Sequence, residues 1–260
     1  MAGKTPYSSD KFRPVVLTIA GYDPSGGAGV LADIKTFEAM GVYGIAVITC
    51  NTHQNDISFK SITWLDKEEK KATIKLLAAR FPAKTVKLGI HKNLKDVWHS
   101  IKLCKEYFPG AQLVWDPVLT ASAGFELDFK VQKKSLEKIL SSLSLVTPNQ
   151  MEVCKLGNSK HADKSAMRLS EHCPTLLKGG HSPDKKTSKD YLYVDGEVKK
   201  IYSSERINGK GKHGSGCVLS AAISASLAKG NKLESAIDKG KQYVTNFLKS
   251  NNTLLGYHLN

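Results

Sequence analysis

Short apolar runs alternate along the chain with longer stretches whose apolar residues return every three or four positions. That is the pattern of a mostly parallel sheet covered by helices. "VVLTIAG" (15–21) is the first expected strand, and "GVLADIKTFEAMG" follows as a helix with an apolar stripe of Val30, Leu31, Ile34 and Phe37, closed by Gly41. "IAVITCN" (45–51), "TVKLGI" (85–90), "QLVWDPV" (112–118), "LSLVTPN" (143–149) and "PTLLKGG" (174–180) continue the strand series. Amphipathic segments such as "DKEEKKATIKLLAARF" and "KNLKDVWHSIKLCKEYF" lie between them. Near residue 189 the period changes to two: "KDYLYVDGEVKKIYSS" alternates around Asp195-Gly196, a hairpin signal that adds antiparallel strands at one edge. No linker or internal repeat interrupts this order, so residues 14–260 are expected to form a single domain behind a flexible leader, residues 1–13.

At 260 residues and 41% hydrophobic content the chain can bury a sizeable core. The formal charge of +14 raises nucleic acid as a partner. Arginines occur only at 13, 80, 168 and 206, and the lysines scatter without interleaved aromatics, so a solvated lysine-rich surface is expected and no nucleic-acid partner. Five cysteines, at 50, 104, 154, 173 and 217, form no CxxC pair and are odd in number, which fits a reducing interior. The leader has no apolar core and no run is long enough for a membrane span, so the expected location is cytoplasmic, with no membrane partner.

Ligands of open α/β sheets gather beyond the carboxyl ends of the strands. "KGKHGSGCVLSAAISASLAKG" (210–230) puts Gly214, Ser215 and Gly216 at the start of a small-residue helix, where unpaired N–H groups and the positive dipole end could cradle an anion. Lys210 and Lys212 flank the turn and either could close over phosphates, with surface solvation the ordinary alternative; His213 could donate there or serve the fold. "GYDPSGGAGVLAD" (21–33) is neither a P-loop nor a dinucleotide fingerprint. It reads either as a strand-to-helix turn that needs positive φ or as a glycine floor for a flat ligand, with Asp33 as an acceptor.

"CNTHQND" (50–56) ends a strand with clustered amides, a density that loop polarity alone explains, although Gln54 carries the donor and acceptor that suit an aminopyrimidine edge. "VWDPV" ends on Asp116-Pro117. In "TPNQMEV", Asn149 and Glu152 have the spacing of a capping box. Beside an anion-binding turn they read instead as distant organisers of Mg²⁺ and its waters, because Mg²⁺ takes few carboxylates and keeps much of its hydration. "LKGGH" places Lys178 where an ammonium can pair with nucleotide phosphates.

In order and at matching spacing, "LTIAGYDPSGGAGVLADIKTFEAMGVYGIAVIT", "HQN", "DPV", "TPNQME", "LKGGH" and "HGSGCVLSAA" resemble the hydroxymethylpyrimidine/phosphomethylpyrimidine kinases of thiamine biosynthesis, in the ribokinase-like superfamily. The resemblance implies a three-layer α/β/α sandwich with a mostly parallel sheet and an antiparallel edge hairpin. It also implies ATP with Mg²⁺, and phosphorylation of 4-amino-5-hydroxymethyl-2-methylpyrimidine and then of its monophosphate. By the same resemblance Asp33 and Gln54 contact the pyrimidine, lined by Gly21 and Ala28, while Asn149 and Glu152 govern Mg²⁺ and phosphate. Lys178 and Gly180 lie on the nucleotide side with Lys210 near by, Gly214, Ser215 and Gly216 form the anion hole, and Cys217 is the catalytic cysteine. Tyr22 stands where the family usually has a small residue, His91 where Met or Leu is common, and Thr52-His53 precede the glutamine in place of apolar residues; Tyr22 and His91 are expected near the pyrimidine. A homodimer accords with the superfamily.

Phosphoryl transfer asks a protein mainly for positioning and charge stabilisation. The 214–217 turn offers N–H groups for growing negative charge. Cys217, in the first helical turn, sits where a dipole favours the thiolate, so it could accept the proton of the hydroxymethyl group. The competing account of a free cysteine is a small buried hydrophobe. Pyridoxal kinase activity is the nearest rival function, because pyridoxal is also a flat heteroaromatic with a hydroxymethyl arm. A nucleic-acid binder that has lost catalysis and a kinase-like pyrimidine sensor are the rivals from other classes.

Overall fold

The computed structural model describes residues 7, 12–119, 129–179, 186–207 and 211–259. The first half contains β1 (Val15–Tyr22), α1 (Gly29–Ala39), β2 (Tyr43–Gln54), β3 (Phe59–Trp64), α2 (Lys67–Ala78), β4 (Ala83–Leu88), α3 (Leu94–Tyr107) and β5 (Gln112–Trp115). The second contains α4 (Lys133–Leu140), β6 (Leu145–Val146), α5 (Gln150–Leu156), α6 (Ala162–Ser170), β7 (Thr175–Leu177), β8 (Thr187–Val194), β9 (Glu197–Glu205), α7 (Ser215–Ala228) and α8 (Leu233–Lys249).

Among the described residues, nine strands form one sheet in the order β3-β2-β1-β4-β5-β6-β7-β8-β9. The run from β2 to β7 is parallel. β1 is apolar without a break because both its faces are covered. Val15, Leu17 and Ile19 pack with residues of α2 to α6, whereas Val16 packs with Phe37 of α1 and Ala221 of α7. Helix α7 is buried from Val218 to Ala228, and its Ala and Ser side chains let it lie close between the sheet, α1 and α8. The result is the expected three-layer α/β/α arrangement with a mostly parallel sheet.

The expected hairpin is β8–β9, with Asp195 and Gly196 both at positive φ as a type I′ turn demands. The opposite edge differs from expectation. β2 runs on through Cys50 to Gln54 and pairs antiparallel with β3, so both edges of the sheet are antiparallel. The amides read as a strand end lie on a strand whose far face is open: Cys50 and Thr52 are buried while Asn51 and His53 are exposed. β5, β6 and β7 are shorter than expected because Pro117, Pro148 and Pro174 stand beside them and offer no N–H to a ladder. Within the leader, Tyr7 packs its ring 4.8 Å from Phe12 and 4.7 Å from Phe81. No described helix is long and apolar enough to cross a membrane.

The strand order reverses at β1 and β4, with α1 on one face and α2 and α3 on the other. A crevice at the carboxyl ends of strands is expected at such a switch point, and α7 begins there, packed on α1 and β4.

Candidate active site

Gly214 caps α7 in the left-handed region, at φ 72°, and a Cβ there would lie 2.0 Å from the carbonyl oxygen of Gly27. Only glycine permits both the dihedral and the approach. The turn that opens α7 is thereby seated on the glycine turn after β1. Asp23 organises that second turn: its carboxylate accepts from Ser25 N at 2.9 Å, Ser25 Oγ at 2.8 Å and Ala28 N at 2.8 Å, and meets His213 Nε2 at 2.8 Å. Burial pushes the Asp23 carboxyl up, but His213 and Ser25 outweigh it and hold the group below its ordinary range. His213 thus serves the fold of the site.

Lys212 does the same. Its ammonium donates to Asn251 O and Oδ1 at 2.9 Å each and to Thr253 O at 2.7 Å, and His213 N donates to Leu254 O at 2.9 Å. Lys212 therefore ties the turn to the segment after α8 and is not poised to close over phosphates, as the sequence reading allowed. Lys210 and Gly180 lie outside the described residues.

Four buried groups, Asp33, Lys87, Asp116 and Glu152, and the partly buried Lys178 form a row of acids and lysines in alternation that reaches the first turn of α7. Asp33 on α1, fully buried, takes Lys87 Nζ at 2.6 and 2.8 Å and Thr18 Oγ1 at 2.6 Å. Asp116, after β5, takes Lys178 Nζ at 2.8 Å, Thr147 Oγ1 at 3.2 Å and Ser220 Oγ at 3.1 Å. Glu152 lies 3.8 Å from Lys178. Burial pushes Asp116 up, yet Lys178 and Lys87 bring it below its ordinary value. Burial dominates at Glu152 and pushes it up to about 7.

Two expectations change here. Asp33 is fully buried, with its carboxylate turned to Lys87 and Thr18 inside the protein, and does not face the cleft that holds Gln54. Asn149 and Glu152 form the capping box of α5: Asn149 Oδ1 accepts from Glu152 N at 2.9 Å and Glu152 Oε2 accepts from Asn149 N at 2.7 Å. The capping account of the pair is realised, and Glu152 is in addition close to the Lys178 ammonium. That ammonium faces the start of α7, since a Cβ at Gly216 would lie 3.3 Å from it. The N–H groups of Ser215, Gly216 and Cys217, at the positive end of α7, therefore share one locality with a lysine, which suits an anion.

Cys217 is half-buried in that first turn. Burial pushes its thiol up to about 11, with Asp116 and Asp33 adding to the rise and Lys87 and the Gly29 N–H opposing it. Desolvation is thus the largest effect on this thiol, and it runs against the thiolate that the sequence leads one to expect.

An open cleft of about 570 Å³ lies at the ends of β1 and β2, lined among others by Tyr22, Pro24, Asn51, His53, Gln54 and Lys60. Of the pyrimidine-side residues expected from the sequence it holds Tyr22 and Gln54. His91 points elsewhere: its ring is buried, with Nδ1 3.0 Å from Gly89 O and Nε2 2.9 Å from Ser100 Oγ, and burial lowers its pKa. Gly21 is required by packing, since a Cβ there would lie 2.8 Å from both Cys50 Sγ and Ile90 Cγ2. Ala28 is partly exposed in the glycine turn.

The sequence reading passed over Lys87, Thr18, Asp23 and Ser220 as site residues. Two signals were present. Asp33 shares the apolar face of α1 with Val30 and Phe37, and Lys87 stands inside the apolar strand "TVKLGI". A charge on a buried stripe demands a partner, and the register that places Thr18 beside Lys87 brings the two charges together. Among the described residues no group of three or more His, Cys, Asp or Glu could hold a metal ion.

A family model described as phosphomethylpyrimidine kinase matches residues 23–259. The chain is 33% identical over 245 residues to the hydroxymethylpyrimidine/phosphomethylpyrimidine kinase of Staphylococcus aureus strain MSSA476, covering 89% of this chain and 86% of that protein. The crystal structure of phosphomethylpyrimidine kinase from Clostridium difficile 630 is similar at a TM-score of 0.73 and 31% identity, over 89% of this chain and 98% of that one. Bacillus subtilis pyridoxal kinase, solved as an ADP complex, is similar at a TM-score of 0.81 and 27% identity, over 95% and 97% of the two chains. With the motifs in order, the glycine turn locked against the start of α7 and a model match across nearly the whole length, the chain belongs to the phosphomethylpyrimidine kinase family.

Proposed function

We propose that this protein transfers the terminal phosphate of ATP first to 4-amino-5-hydroxymethyl-2-methylpyrimidine and then to the resulting monophosphate, as a step in making thiamine. The observation that carries the reading is the convergence of the 214–217 turn, Lys178 and Cys217 beside the glycine turn that leads to the Gln54 cleft. Gln54 reads the aminopyrimidine edge, its amide donating to a ring nitrogen and accepting from the exocyclic amine. The N–H groups of Gly214 to Cys217 and the Lys178 ammonium bind the transferring phosphate and stabilise its charge. Lys178 exchanges part of its contact with Asp116 for that phosphate.

In the first step the hydroxymethyl oxygen bonds to the γ-phosphorus, the bond from that phosphorus to the bridging oxygen breaks, and ADP leaves. Cys217 Sγ, having entered as thiolate, takes the hydroxyl proton. In the second step the acceptor is a phosphate oxygen that is already ionised, so no base is needed. Mg²⁺, when bound, neutralises charge on the β- and γ-phosphates; Glu152 would reach it through water, with Asn149 holding Glu152 in place. Five unpaired thiols accord with a reducing, cytoplasmic setting.

A second activity on pyridoxal is favoured by the likeness to the Bacillus subtilis enzyme and by Tyr22 in the cleft. The test is ADP release from the purified protein with ATP, Mg²⁺ and, separately, the pyrimidine, its monophosphate, pyridoxal and ribose, with product masses read. Stepwise gain of two phosphates on the pyrimidine is expected. Turnover of pyridoxal alone would replace the reading, and no turnover with any acceptor would point to a binding or sensing protein.

A further inference from the structure

We propose that Asp190, itself held by Lys241, is a positioning residue for Lys178: by accepting from the Gly179 N–H it fixes the peptide that carries this lysine, and so the place of the ammonium at the anion turn. The inference rests on the reading of Lys178 as a phosphate ligand and adds what holds its backbone.

The ladder between β7 and β8 ends at Leu177, paired with Tyr191. Beyond it the chain leaves the sheet at the residue that carries the ammonium, and Gly179, which follows, is buried. A buried backbone N–H needs a partner. Here a side chain replaces the strand: Asp190 Oδ1 accepts from Gly179 N at 2.8 Å. The approach requires glycine, since a Cβ at Gly179 would lie 1.7 Å from the carbonyl oxygen of Lys189. One residue earlier, Lys178 N donates to Pro148 O at 2.9 Å, just after β6. Two consecutive N–H groups thus clamp Lys178, its own to the end of β6 and the next to β8.

Asp190 is buried on the face of β8 that it shares with Leu192, and Leu192 clusters with Ile223 of α7 and with Ile237 and Val244 of α8. A charge on such a face demands a partner. Lys241 of α8 supplies it: its ammonium lies 2.8 Å from Asp190 Oδ2 and donates to Ser188 Oγ at 3.1 Å. A buried ion pair is a weak source of stability, because desolvating both ions offsets most of their attraction. This pair has a further use, since the oxygen that Lys241 does not take holds the N–H next to Lys178. At the other end of that lysine, Asp116 Oδ1 takes the ammonium at 2.8 Å while Asp116 Oδ2 accepts from Ser220 Oγ of α7 at 3.1 Å. Both ends of Lys178 are therefore fixed, the ammonium to the helix whose first turn forms the anion site and the backbone to β8 and, through Lys241, to α8. A charge that must meet a phosphate at hydrogen-bond distance tolerates little displacement of either end.

The test isolates the Gly179 contact from the charges. Asp190→Asn/Lys241→Met keeps an oxygen that can accept from Gly179 N, Asp190→Ala/Lys241→Met does not, and neither strands an ion. Affinity for ATP with Mg²⁺ and, separately, for the pyrimidine is read by titration calorimetry. The Asn double variant should bind ATP as the native protein does, and the Ala double variant about tenfold or more weakly. Pyrimidine affinity should stay the same in both. A role confined to packing would lower the melting temperature and leave the two ATP affinities alike. If the Ala double variant fails to fold, Asp190→Leu/Lys241→Met fills the space with apolar atoms and should show the same loss. Equal ATP affinity in the folded Asn variant and the folded Ala or Leu variant overturns the inference. Lys178→Met, measured alongside, keeps the two failures distinct. Unchanged ATP affinity there, or no ATP binding by the native protein, overturns the reading of Lys178 and the inference with it, whereas a loss there beside equal affinities in the double variants overturns the inference alone.

Discussion

His213 Nε2 and Asp23 Oδ2 meet at 2.8 Å across 190 residues of chain, and the contact joins the glycine turn after β1 to the turn that opens α7. Both side chains are buried. His213→Ala is expected to lower stability by about 1–3 kcal/mol, the range for stranding a buried acceptor, and to slow turnover by loosening the anion turn. Asp23 is held below its ordinary pKa of 3.8, so its contribution is fully present above about pH 4 and is lost as pH falls through the depressed value. Urea unfolding of both proteins from pH 3 to 7 should show a gap that is full above about pH 4 and narrows below it. A constant gap would show that Asp23 is not the group concerned.

Cys217→Ala should slow the first phosphorylation about 10²- to 10⁴-fold, the usual worth of a positioned base, and the second by less than about tenfold. Because the free thiol lies at about 11, the first step of the native protein should gain rate with rising pH across the neutral range. That slope should vanish in Cys217→Ala. Separate kinetics on the pyrimidine and its monophosphate give both readouts, and equal losses in the two steps would exclude a base.

Lys178→Met would leave Asp116 buried beside only Thr147, Ser220 and the more distant Lys87, and is expected to destabilise by about 3–5 kcal/mol. Adding Asp116→Asn should recover part of that loss, because the stranded charge disappears. A thermal-unfolding double-mutant cycle measures the coupling. Nucleotide affinity should fall in both proteins and should not recover with stability, since of the two altered residues it is Lys178 that faces the anion turn.

Gly214→Ala places a Cβ 2.0 Å from the Gly27 carbonyl oxygen at a φ that alanine resists, so both glycine turns must shift. Turnover should fall about a hundredfold or more, on the scale of losing one oxyanion donor. Lys212→Met acts on the same turn from its other side, removing three contacts to Asn251 and Thr253. A stability loss of about 1.5–3 kcal/mol is expected there, as for hydrogen bonds to a charged group. Full turnover in either variant would show that the turn need not be held.

The sequence by itself determined the architecture of this protein and the reaction class. Periods of about four and of two in the apolar residues depend only on local geometry, which is why α1, α2, α3 and the β8–β9 hairpin were legible in outline. The glycine-rich turns were legible because their backbone needs glycine whatever lies around it. Tertiary structure alone decided which polar side chains reach a ligand. β3 stayed hidden because it is an edge strand with little burial to pattern it. Asp33 and His91 carried the marks of ligand contacts, yet each is satisfied inside the protein by partners that no spacing reveals. Lys87, a charge inside an expected apolar strand, is the partner of Asp33, 54 residues away. The physical reason is common to all three: the proton affinity and the free valences of a buried polar group depend on neighbours brought from distant segments, and only the packed fold names them.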